Sequence, residues 1–468
     1  MAKDKTWKTV TEPAKDIKVC YEADVVVVGG GPGGHSAAIA AARNGAKTVL
    51  LERYGHLGGM ATGGLVILIP FLSDGTEQQV IAGLMQEIVE RLDVRNAALY
   101  PRKEEWGASD EPTIRYWRRR GTGSYVSDKR VWYSVIVDPE ILKCVLNDMV
   151  EEAGVKLYLH SWASCAVAEN DKVKGMIFES KSGRQAILSQ LMIDCTGDGD
   201  MFASVGAEFD DTIDSSLRSA NLALVFRLGN VNAEKYVDFR DGQAQKHSEI
   251  MKKLVAMGGF DTYWRTTRED IFWCNNWLRN LNCLDVEDIT MAEIQARKSM
   301  LISLDYLREN VPGFENCYIV DTASQIGTRG SRRLRGEHTL TWEEMMSGVI
   351  HEDTIMISSH LGHTNSREYP LASIPYRSLL PRRIDNLLVA GRCFSSDIRA
   401  NNDYNWIQHC IPMGQAAGTA AALAVELGIQ PRQLDHKLLQ GRLLSQGVFL
   451  PGIQRSTSVQ DHRLLHHQ

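Results

Sequence analysis

The sequence predicts an α/β protein whose central parallel sheet is interrupted by an inserted second domain. Asp24–Gly30 (DVVVVGG) is a continuous β-branched run, which is typical of a strand buried on both faces of a parallel sheet. Pro32–Asn44 is alanine-rich and predicts a helix that Gly45 ends. Thr48–Glu52 (TVLLE) predicts the next strand and completes a βαβ unit. A further buried strand, Asn386–Gly391, comes so late in the chain that we expect an insertion before it.

Composition and charge restrict the class of protein. The 468 residues fit two or three subdomains better than one core. A hydrophobic content of 44% and a net charge of -6 are ordinary for a soluble domain and disfavour a nucleic-acid partner, which needs a basic face. Residues 1–18 lack the apolar core of a signal peptide, and no apolar run is long enough to span a membrane. We expect a cytoplasmic protein without membrane contact, and the sequence leaves a homo-oligomer open.

The nine cysteines predict a reduced protein. They are scattered, with no C-x-x-C pair and no metal-ligand spacing, so we predict no metal site. Cys195, Cys393 and Cys410 lie in apolar segments and are expected to be small buried side chains.

The remaining elements follow in chain order after a leader, residues 1–23, with at most one short strand. Predicted helices are Gln79–Leu92, Asp138–Ala153 with Pro139 in its first turn, and Met413–Leu427. Predicted strands are Val155–Leu159, Ser164–Glu169, Val173–Glu179, Gln185–Leu191 and Leu191–Thr196, the third pairing with the fourth. The stretch with Arg115, Arg118, Arg119 and Arg120 predicts a loop, which either is solvated or clamps an anion.

The motif Gly29-x-Gly31-x-x-Gly34 joins the first strand to the first helix. Gly29 allows the tight turn, Gly31 lets the backbone approach a pyrophosphate, and Gly34 lets the helix pack on the sheet. The helix N-terminus offers free N–H groups to the phosphates. Glu52 can accept hydrogen bonds from ribose hydroxyls. The motif therefore predicts a Rossmann-like dinucleotide-binding domain.

Two more glycine-rich segments follow strands. Leu57–Gly64 (LGGMATGG) is either a flexible loop or backbone lying beside a flat or phosphorylated group. Asp194–Asp200 (DCTGDGD) is either a hairpin-like turn or part of a ligand site, because ligands bind at the carboxyl ends of such strands. His56 is an ordinary loop histidine, a cofactor contact or a point of covalent attachment.

Two further segments late in the chain are Leu388–Arg392 (LVAGR) and Gly414–Gly418 (GQAAG). Gly414–Gly418 opens the predicted helix Met413–Leu427, so its N–H groups and dipole are expected to face a cofactor acceptor. On a flavin this acceptor is the N1/C2 carbonyl edge, where a positive helix end raises the reduction potential.

These motifs, with Arg329–Gly336 (RGSRRLRG) and Ile374–Leu380 (IPYRSLL), resemble the FAD-dependent oxidoreductase family of the glutathione-reductase-like flavoprotein class. The resemblance covers both ends and the middle of the chain. It implies an extended, non-covalent FAD with ADP on the Gly29–Gly34 turn and flavin near Gly58, Gly391 and Gly414. The predicted cofactor-binding residues are Gly29, Gly31, Pro32, Gly33, Gly34, Glu52, Arg53, Gly58, Gly59, Met60, Ala61, Thr62, Thr196, Gly197, Asp198, Gly391, Arg392, Gly414, Gln415 and Ala416.

The chain departs from the family pattern near the expected substrate. Gly330 stands where relatives often carry glutamate, and Ile398, Arg399 and Asn405 stand where they often carry a His-Glu pair and a later arginine. The segment 399–409 (RANNDYNWIQH) is instead rich in amides and aromatic rings, which suit polar substrate groups. We therefore expect a substrate, and an acid–base group, unlike those of better-known relatives.

The predicted fold is thus a Rossmann-like FAD-binding domain with an inserted substrate domain. Its predicted parts are 1–68, 136–220 and 370–440 for the FAD-binding domain, 69–135 for an insertion or cap, 221–369 for a mainly helical substrate domain, and 441–468 for a C-terminal tail.

Hydride transfer needs a substrate C–H about 3–3.5 Å from flavin N5 and a group that handles the proton. Histidine suits that role because its pKa is near neutral. We predict one of His360, His363 and His409. Arg329 and Arg332 complete the predicted catalytic set.

Several side chains have two interpretations at this stage. Arg329, Arg332 and Arg333 either hold an anionic substrate or a flavin oxygen, or form salt bridges. Tyr376 and Arg377 are weaker candidates for the same cleft. The residues Trp264, Trp273, Trp277, Asn275 and Asn276 either pack in the core or bind a hydroxylated ring.

The sequence therefore predicts a FAD-dependent dehydrogenase for a small organic substrate. A redox-neutral isomerase or lyase and a FAD-holding scaffold subunit are the alternatives, and the acidic charge disfavours a flavin-dependent RNA-modifying protein. Only one dinucleotide fingerprint is present, so we expect the substrate or an electron-transfer partner, rather than a pyridine-nucleotide domain, to reduce the flavin.

Overall fold

A computed structural model describes residues 8–120, 124–359 and 370–453. Its α-helices are α1 Pro32–Arg43, α2 Leu84–Asp93, α3 Glu111–Arg120, α4 Pro139–Glu152, α5 Asp200–Ser204, α6 Ala233–Gly242, α7 Ala244–Ala256, α8 Val286–Asn310, α9 Trp342–Ser347, α10 Ile398–Tyr404, α11 Ile407–Leu427 and α12 His436–Ser445. Its strands are β1 Lys18–Val28, β2 Thr48–Leu51, β3 Leu68–Ile69, β4 Ala98–Leu99, β5 Val126–Ser127, β6 Arg130–Val131, β7 Val135–Val137, β8 Lys156–Tyr158, β9 Trp162–Glu169, β10 Lys172–Ser180, β11 Gly183–Asp194, β12 Phe209–Asp210, β13 Leu222–Ala223, β14 Phe226–Gly229, β15 Tyr263–Arg265, β16 Phe272–Cys274, β17 Tyr318–Thr322, β18 Gly327–Thr328, β19 Arg333–Leu334, β20 Thr354–Ser358, β21 Ala372–Pro375 and β22 Leu387–Val389.

The predicted parallel sheet is confirmed. It has seven strands, in which β8, β2, β1 and β11 lie side by side in parallel and β22 pairs with the end of β11. In register, Val25 lies between Thr48 of β2 and Leu191 of β11. The late strand β22 therefore returns to the sheet that the first strand starts, as the sequence predicted.

Both faces of β1 are buried, which explains its unbroken valine run. Val25 and Val27 belong to the core on the side of α1 and α11, whereas Val26 and Val28 belong to a second core on the other face. A strand with one solvated face would alternate apolar and polar residues instead. β1 begins at Lys18, earlier than the predicted start at Asp24. Its more exposed first half pairs with the first half of β11 and so extends the strand.

The strand β11 was predicted as two strands and is one. Its first half pairs antiparallel with β10, confirming the predicted hairpin, and its second half pairs in parallel with β22. The change of partner occurs near Leu191, which is where the sequence changes from alternating to continuously apolar. The antiparallel extension to β9 gives the sheet its other edge.

Helices α1 and α11 pack at backbone contact distance on one face of the sheet. A Cβ atom added to Gly414 would lie 2.0 Å from the carbonyl oxygen of Gly33, and one added to Gly418 would lie 2.0 Å from that of Ala37. Glycine is required at both positions because the two backbones leave no room for a side chain. The four-residue spacing places both glycines on the same face of α11.

The predicted helix start at Met413 is wrong, because α11 begins at Ile407 and contains Pro412. Proline lacks an N–H and normally ends or kinks a helix, which is why the sequence favoured a start after it. The helix α2 likewise begins at Leu84, later than the predicted Gln79, after Gly83 at a φ of 61°.

The arginine-rich stretch is a helix, not the predicted loop. It forms α3, whose Ile114 and Trp117 are buried one turn apart while the arginines lie on the other faces. Arg119 forms salt bridges with Glu234 and Asp238 of α6. Because Arg119 already pairs with two acidic side chains, neither of its predicted roles, clamping an anion or lying fully in solvent, is favoured.

The region 221–369 is less helical than predicted. Besides α6, α7 and α8 it contains an antiparallel sheet in the order β15-β16-β14-β17. These strands have three to five residues each and were too short to show a period in the sequence. Phe226, Tyr263 and Phe272 of these strands, with residues of α6 to α8, form a separate hydrophobic core.

The domain boundaries stay a prediction, with one difference at the C-terminal end. The predicted boundary between 440 and 441 falls inside α12, whose Leu439 and Leu443 belong to the main core. None of the helices in the described ranges combines the length and hydropathy that a membrane crossing requires. All nine cysteines are free, and the predicted burial of Cys195, Cys393 and Cys410 is confirmed.

A buried histidine in α1 makes stability sensitive to acid. His35 is 2% exposed, and burial lowers its pKa to about 3. In the unfolded chain, a histidine binds its proton at about pH 6.5. The contribution of neutral His35 to the stability of the folded state is therefore complete above that pH and is lost as the pH falls towards 3. We expect a loss of about 3 kcal/mol between pH 7 and pH 4 from this residue.

The check on this prediction is His35→Gln, which removes the titration. Denaturant unfolding at pH 7 and pH 4 should show a smaller acid-induced loss of stability in the variant than in the wild type. Other titrating groups are the same in both proteins and cancel in the comparison. Equal acid-induced losses of stability in the two proteins would mean that protonation of His35 does not destabilise the folded state.

Candidate functional site

The glycine turn after β1 forms part of the wall of a cavity. Gly29 adopts a φ of 96°, and a Cβ there would lie 2.5 Å from the carbonyl oxygen of Cys195. A Cβ on Gly34 would lie 1.6 Å from the carbonyl oxygen of Gly29, so turn and helix touch. At Gly31, by contrast, the nearest atom would be 4.0 Å away. Gly31 lines the cavity together with Pro32 and Gly33.

Glu52 lies at the end of β2, beside this turn. Its carboxylate accepts hydrogen bonds from the N–H groups of Gly30 at 2.6 Å and of Tyr54 at 2.9 Å. Burial raises its pKa above the usual range, although these N–H groups oppose the shift. Glu52 and Arg53 line the cavity, and Arg53 stacks over the rings of Tyr54 and Trp162.

The glycine-rich segment Leu57–Gly64 folds against the Gly29–Gly34 turn. Gly58 donates its N–H to the carbonyl of Gly30 at 2.9 Å. Gly59 and Met60 line the cavity, whereas Gly58, Ala61 and Thr62 lie behind them and do not. The Thr62 hydroxyl is buried and donates to the Leu57 carbonyl at 2.5 Å.

His56 precedes this segment and is held at its edge. Its Nε2 lies 3.2 Å from the Ser324 hydroxyl, and burial lowers its pKa. It is not among the residues that line the cavity. Its predicted alternatives as a cofactor contact or attachment point gain no support from this position.

The DCTGDGD segment forms a turn braced by its first residue. Asp194 is fully buried, and its carboxylate accepts hydrogen bonds from Thr196, Met201 and Phe202. Burial raises its pKa to about 6. Thr196 and Gly197 consequently sit at the cavity wall.

A salt bridge joins this turn to the end of β22. Arg392 donates to Asp198 at 2.7 Å, and Ser331 donates to the same oxygen at 2.7 Å. Gly391 and Arg392 line the cavity, whereas Asp198 lies behind it. Asp198 thereby orients Arg392, which the sequence predicted only as a cofactor contact.

The structure does not bring Gly414, Gln415 and Ala416 to the cavity. Their prediction rested on a helix starting at Met413, and the actual start at Ile407 places them in the helix interior. Gly414 packs on Gly33 instead. The Gln415 side chain accepts from the N–H of Leu84 at 3.0 Å and so satisfies a free donor at the start of α2.

The first turn of α11 faces the cavity in their place. Trp406 precedes the helix without a side-chain cap, and Ile407, Gln408 and Cys410 line the cavity. Gln408 is 0% exposed, yet its Oε1 and Nε2 have no hydrogen-bond partner among the residues that the structure describes. Buried amides are nearly always paired, so this amide is available to a polar group that enters the cavity.

Another part of the cavity wall is aromatic and basic. Trp264, Trp273, Trp277 and Asn275 line it, whereas Asn276 is buried and bonds both backbone groups of Leu224. Trp273, 1% exposed, also belongs to the hydrophobic core. Trp264, Trp277 and Asn275 therefore keep the interpretation as ring-binding residues, and Asn276 has the interpretation as a core residue. Trp273 meets both descriptions.

Arg329 and Arg332 have different surroundings. Arg329 lines the cavity and donates to Asn275 at 2.8 Å. Arg332 does not line it and forms a salt bridge with Asp200 at 3.0 Å. Arg333 is buried in a salt bridge with Asp210. The salt-bridge interpretation holds for Arg332 and Arg333, and the structure gives Arg332 no place in the cavity.

The predicted histidines are only partly described. His360 and His363 lie outside the described residues. His409 is fully buried with its Nε2 2.9 Å from the Ser358 hydroxyl, stacks on Tyr404, and is not part of the cavity wall. Tyr376 is buried in the core, and Arg377 pairs with Asp353.

Sequence reasoning missed several residues that line the cavity. Arg218 had no motif around it and reaches the cavity only through the fold. Asn405 and Trp406 were not missed entirely, because they lie in the segment 399–409, whose amides and aromatic rings the sequence analysis matched to polar substrate groups without giving either residue a role. Gln408 was hidden by the late predicted start of its helix.

A separate group of side chains has metal-ligand chemistry. Atoms of His338, Glu344 and His351 lie within 4.8 Å of one another, among the described residues. Glu344 already accepts from Thr341 as part of a capping box. The group does not line the cavity, and the absence of a metal site stays a prediction.

A family model described as FAD dependent oxidoreductase matches residues 24–443. Similar solved structures include a geranylgeranyl bacteriochlorophyll reductase-like protein from Thermoplasma acidophilum, with 13% identity, a TM-score of 0.44 and 94% coverage of each chain. Another is the p-nitrophenol 4-monooxygenase PnpA from Pseudomonas putida DLL-E4, with 11% identity, a TM-score of 0.43, and coverage of 95% of this chain and 92% of that one.

Proposed function

The chain belongs to the FAD-dependent oxidoreductase family, and from this premise we propose that it is a dehydrogenase for a small organic substrate. FAD is its cofactor. When bound, FAD supplies a hydride acceptor or donor. The residues of the chain must then hold the cofactor, exclude water and handle a proton.

The glycine turn fits the ADP half of FAD. The open space at Gly31 admits a pyrophosphate, and the N–H groups at the start of α1 with the helix dipole favour its charge. Glu52 would accept from the ribose, while Arg392, fixed by Asp198, would approach the phosphates. These residues supply the space, the N–H donors and the carboxylate acceptor that the ADP half of FAD needs.

The start of α11 fits the flavin. Its uncapped N-terminus carries partial positive charge, and the unpartnered amide of Gln408 lies beside it in the cavity wall. A flavin pyrimidine edge has the donors and acceptors that this amide lacks. Positive charge at that edge favours the reduced cofactor.

One observation carries the proposed function. The cavity that begins at the glycine turn continues to residues of the inserted region, including Trp264, Asn275 and Arg329. The cofactor site and a separate set of polar and aromatic side chains therefore share one space. That arrangement allows a small molecule to bind against the cofactor while tryptophans keep water away.

The acid–base group is proposed to be a histidine. The acidic side chains that line the described cavity wall are Glu52, Tyr54, Cys195, Asp200 and Cys410, and burial raises the pKa of each. The Tyr54 phenol and both thiols are thereby moved further from neutral pH. Glu52 is held by the N–H groups of Gly30 and Tyr54, and Asp200 is paired with Arg332. His360 and His363 keep this role as predictions, and His409 is included for comparison because it contacts Ser358.

The test is anaerobic reduction of the bound FAD. Purified holoenzyme is mixed with a panel of alcohols, amines, sugars, hydroxy acids, amino acids and NAD(P)H, and we expect at least one organic substrate to bleach the flavin. His360→Ala, His363→Ala and His409→Ala are then compared with wild type, each checked for FAD content. We expect a loss of about 100-fold or more in the reduction rate for one variant. If no compound reduces the flavin, the dehydrogenase proposal fails; if all three variants match wild type, only the acid–base assignment fails.

A further inference from the structure

Two arginines approach the same part of the cavity from different segments. Arg329 follows β18, and Arg218 begins a short turn before β13. Both line the cavity. Asn405 joins them, since it accepts from the Arg218 guanidinium and donates to the Arg329 carbonyl.

Neutral groups hold both guanidinium planes in place. Arg218 also donates to the Asn402 carbonyl at 2.6 Å and stacks over the Trp406 ring at 4.7 Å. Arg329 donates to Asn275 at 2.8 Å and stacks over Trp277 at 4.2 Å. Both planes are therefore fixed before any ligand arrives, which lowers the entropy cost of binding.

Neither arginine forms a salt bridge with an acidic side chain among the described residues. Within the described part of the chain, the Nε of each is buried without a hydrogen-bond partner. Burial lowers the pKa of Arg329 to about 10; burial, and then the charge of Arg329, lower that of Arg218 to about 9. Asp403 opposes the shift at Arg218, and Arg392 adds to it. Two poorly compensated positive charges thus share one site.

We propose that Arg218 and Arg329 bind the carboxylate of an organic acid, which is the substrate of the cavity. This inference rests on the proposed function and gives it a substrate class. Two adjacent cations attract an anion and repel a cation, and guanidinium N–H groups match the planar carboxylate. A neutral substrate would leave both charges without compensation.

The surroundings favour an organic acid over an inorganic anion. The tryptophans next to the arginines give the cavity an apolar wall that suits a hydrocarbon or aromatic body. The arginines would hold the acid at one end and leave its body free to lie along that wall. They act as binding residues, and the proton is left to a histidine.

The experiment measures binding to oxidised holoenzyme by titration calorimetry and by the shift in flavin absorbance. Benzoate is the probe, and benzamide is its neutral counterpart. Phenyl phosphate tests whether the site prefers a phosphate group to a carboxylate. We expect saturable benzoate binding and binding of benzamide at least about 10-fold weaker. Arg218→Gln and Arg329→Gln should each weaken benzoate binding about 10- to 100-fold with FAD content unchanged. Arg329→Lys should recover part of the affinity, because it restores the charge without the planar fork.

The matched control is Arg383→Gln, since the Arg383 side chain is 78% exposed and does not line the cavity. It should bind benzoate like wild type. Equal affinities for benzoate and benzamide, tighter binding of phenyl phosphate than of benzoate, or no benzoate binding would each overturn the inference. Loss of FAD in both glutamine variants would assign the arginines to the cofactor and overturn it as well.

The outcome is separable from that of the proposed function. Binding needs no turnover, so arginine-dependent benzoate binding by an enzyme whose flavin no substrate reduces would leave this site in place and reject the dehydrogenase. Flavin reduction by a neutral substrate, without arginine-dependent binding of benzoate, would reject the carboxylate site alone.

Discussion

Gly31→Ala is expected to fold like the wild type and to lose FAD. The added Cβ would have no protein atom closer than 4.0 Å and would point into the cavity. It would occupy the space that the pyrophosphate needs beside the first turn of α1, while the conformation of the backbone stays accessible to alanine. We expect FAD affinity to fall about 100-fold or more. Flavin absorbance of the purified protein and titration of the apoprotein with FAD measure the loss.

Gly34→Ala provides the contrast within the same motif. Its Cβ would lie 1.6 Å from the Gly29 carbonyl oxygen, so this variant should lose the fold and not only the cofactor. Far-ultraviolet circular dichroism and the melting temperature distinguish the two results. A Gly31→Ala protein that retains tightly bound FAD would show that the pyrophosphate does not rest at this turn.

Gly418→Ala is expected to destabilise the protein strongly without touching the cofactor site. The new Cβ would lie 2.0 Å from the carbonyl oxygen of Ala37, a backbone atom that can move only with the whole of α1. Separating two packed helices opens voids along their contact. We expect the free energy of unfolding to fall by more than about 3 kcal/mol. Denaturant unfolding and soluble yield are the measurements.

Gly242→Ala is the matched control for this prediction. Gly242 ends helix α6, and a Cβ there would have no atom within 4 Å. Alanine is the better helix former, so this variant should be unchanged or more stable by up to about 1 kcal/mol. Similar stability of Gly418→Ala and wild type would mean that α1 and α11 pack less closely than the structure shows.

The two glycine predictions separate the two uses of glycine in this fold. Gly31 leaves space for a ligand, and Gly418 leaves space for another helix. Gly414 was predicted to belong to the first kind and belongs to the second, because it contacts Gly33 and not the cavity. A glycine-rich sequence shows that a close approach occurs, but it does not show which partner approaches.

Local patterns were sufficient for the βαβ unit. The valine run predicts a strand buried on both faces, and the alanine-rich segment with three spaced glycines predicts a helix packed on it. These features depend on neighbours in the chain, so they are visible in the sequence. The short strands around Phe226 and Phe272 were missed because a few residues carry no detectable period.

The sequence by itself determined the cofactor class, the central sheet and the turn on which the ADP half is expected to rest, because these depend on residues close together in the chain. Only the tertiary structure decided that α11 meets the cavity at Gln408, that Arg332 is tied to Asp200, and that Arg218 lies beside Arg329. Contacts between residues distant in the chain depend on how the elements pack, and no local pattern specifies the partner of a buried charge.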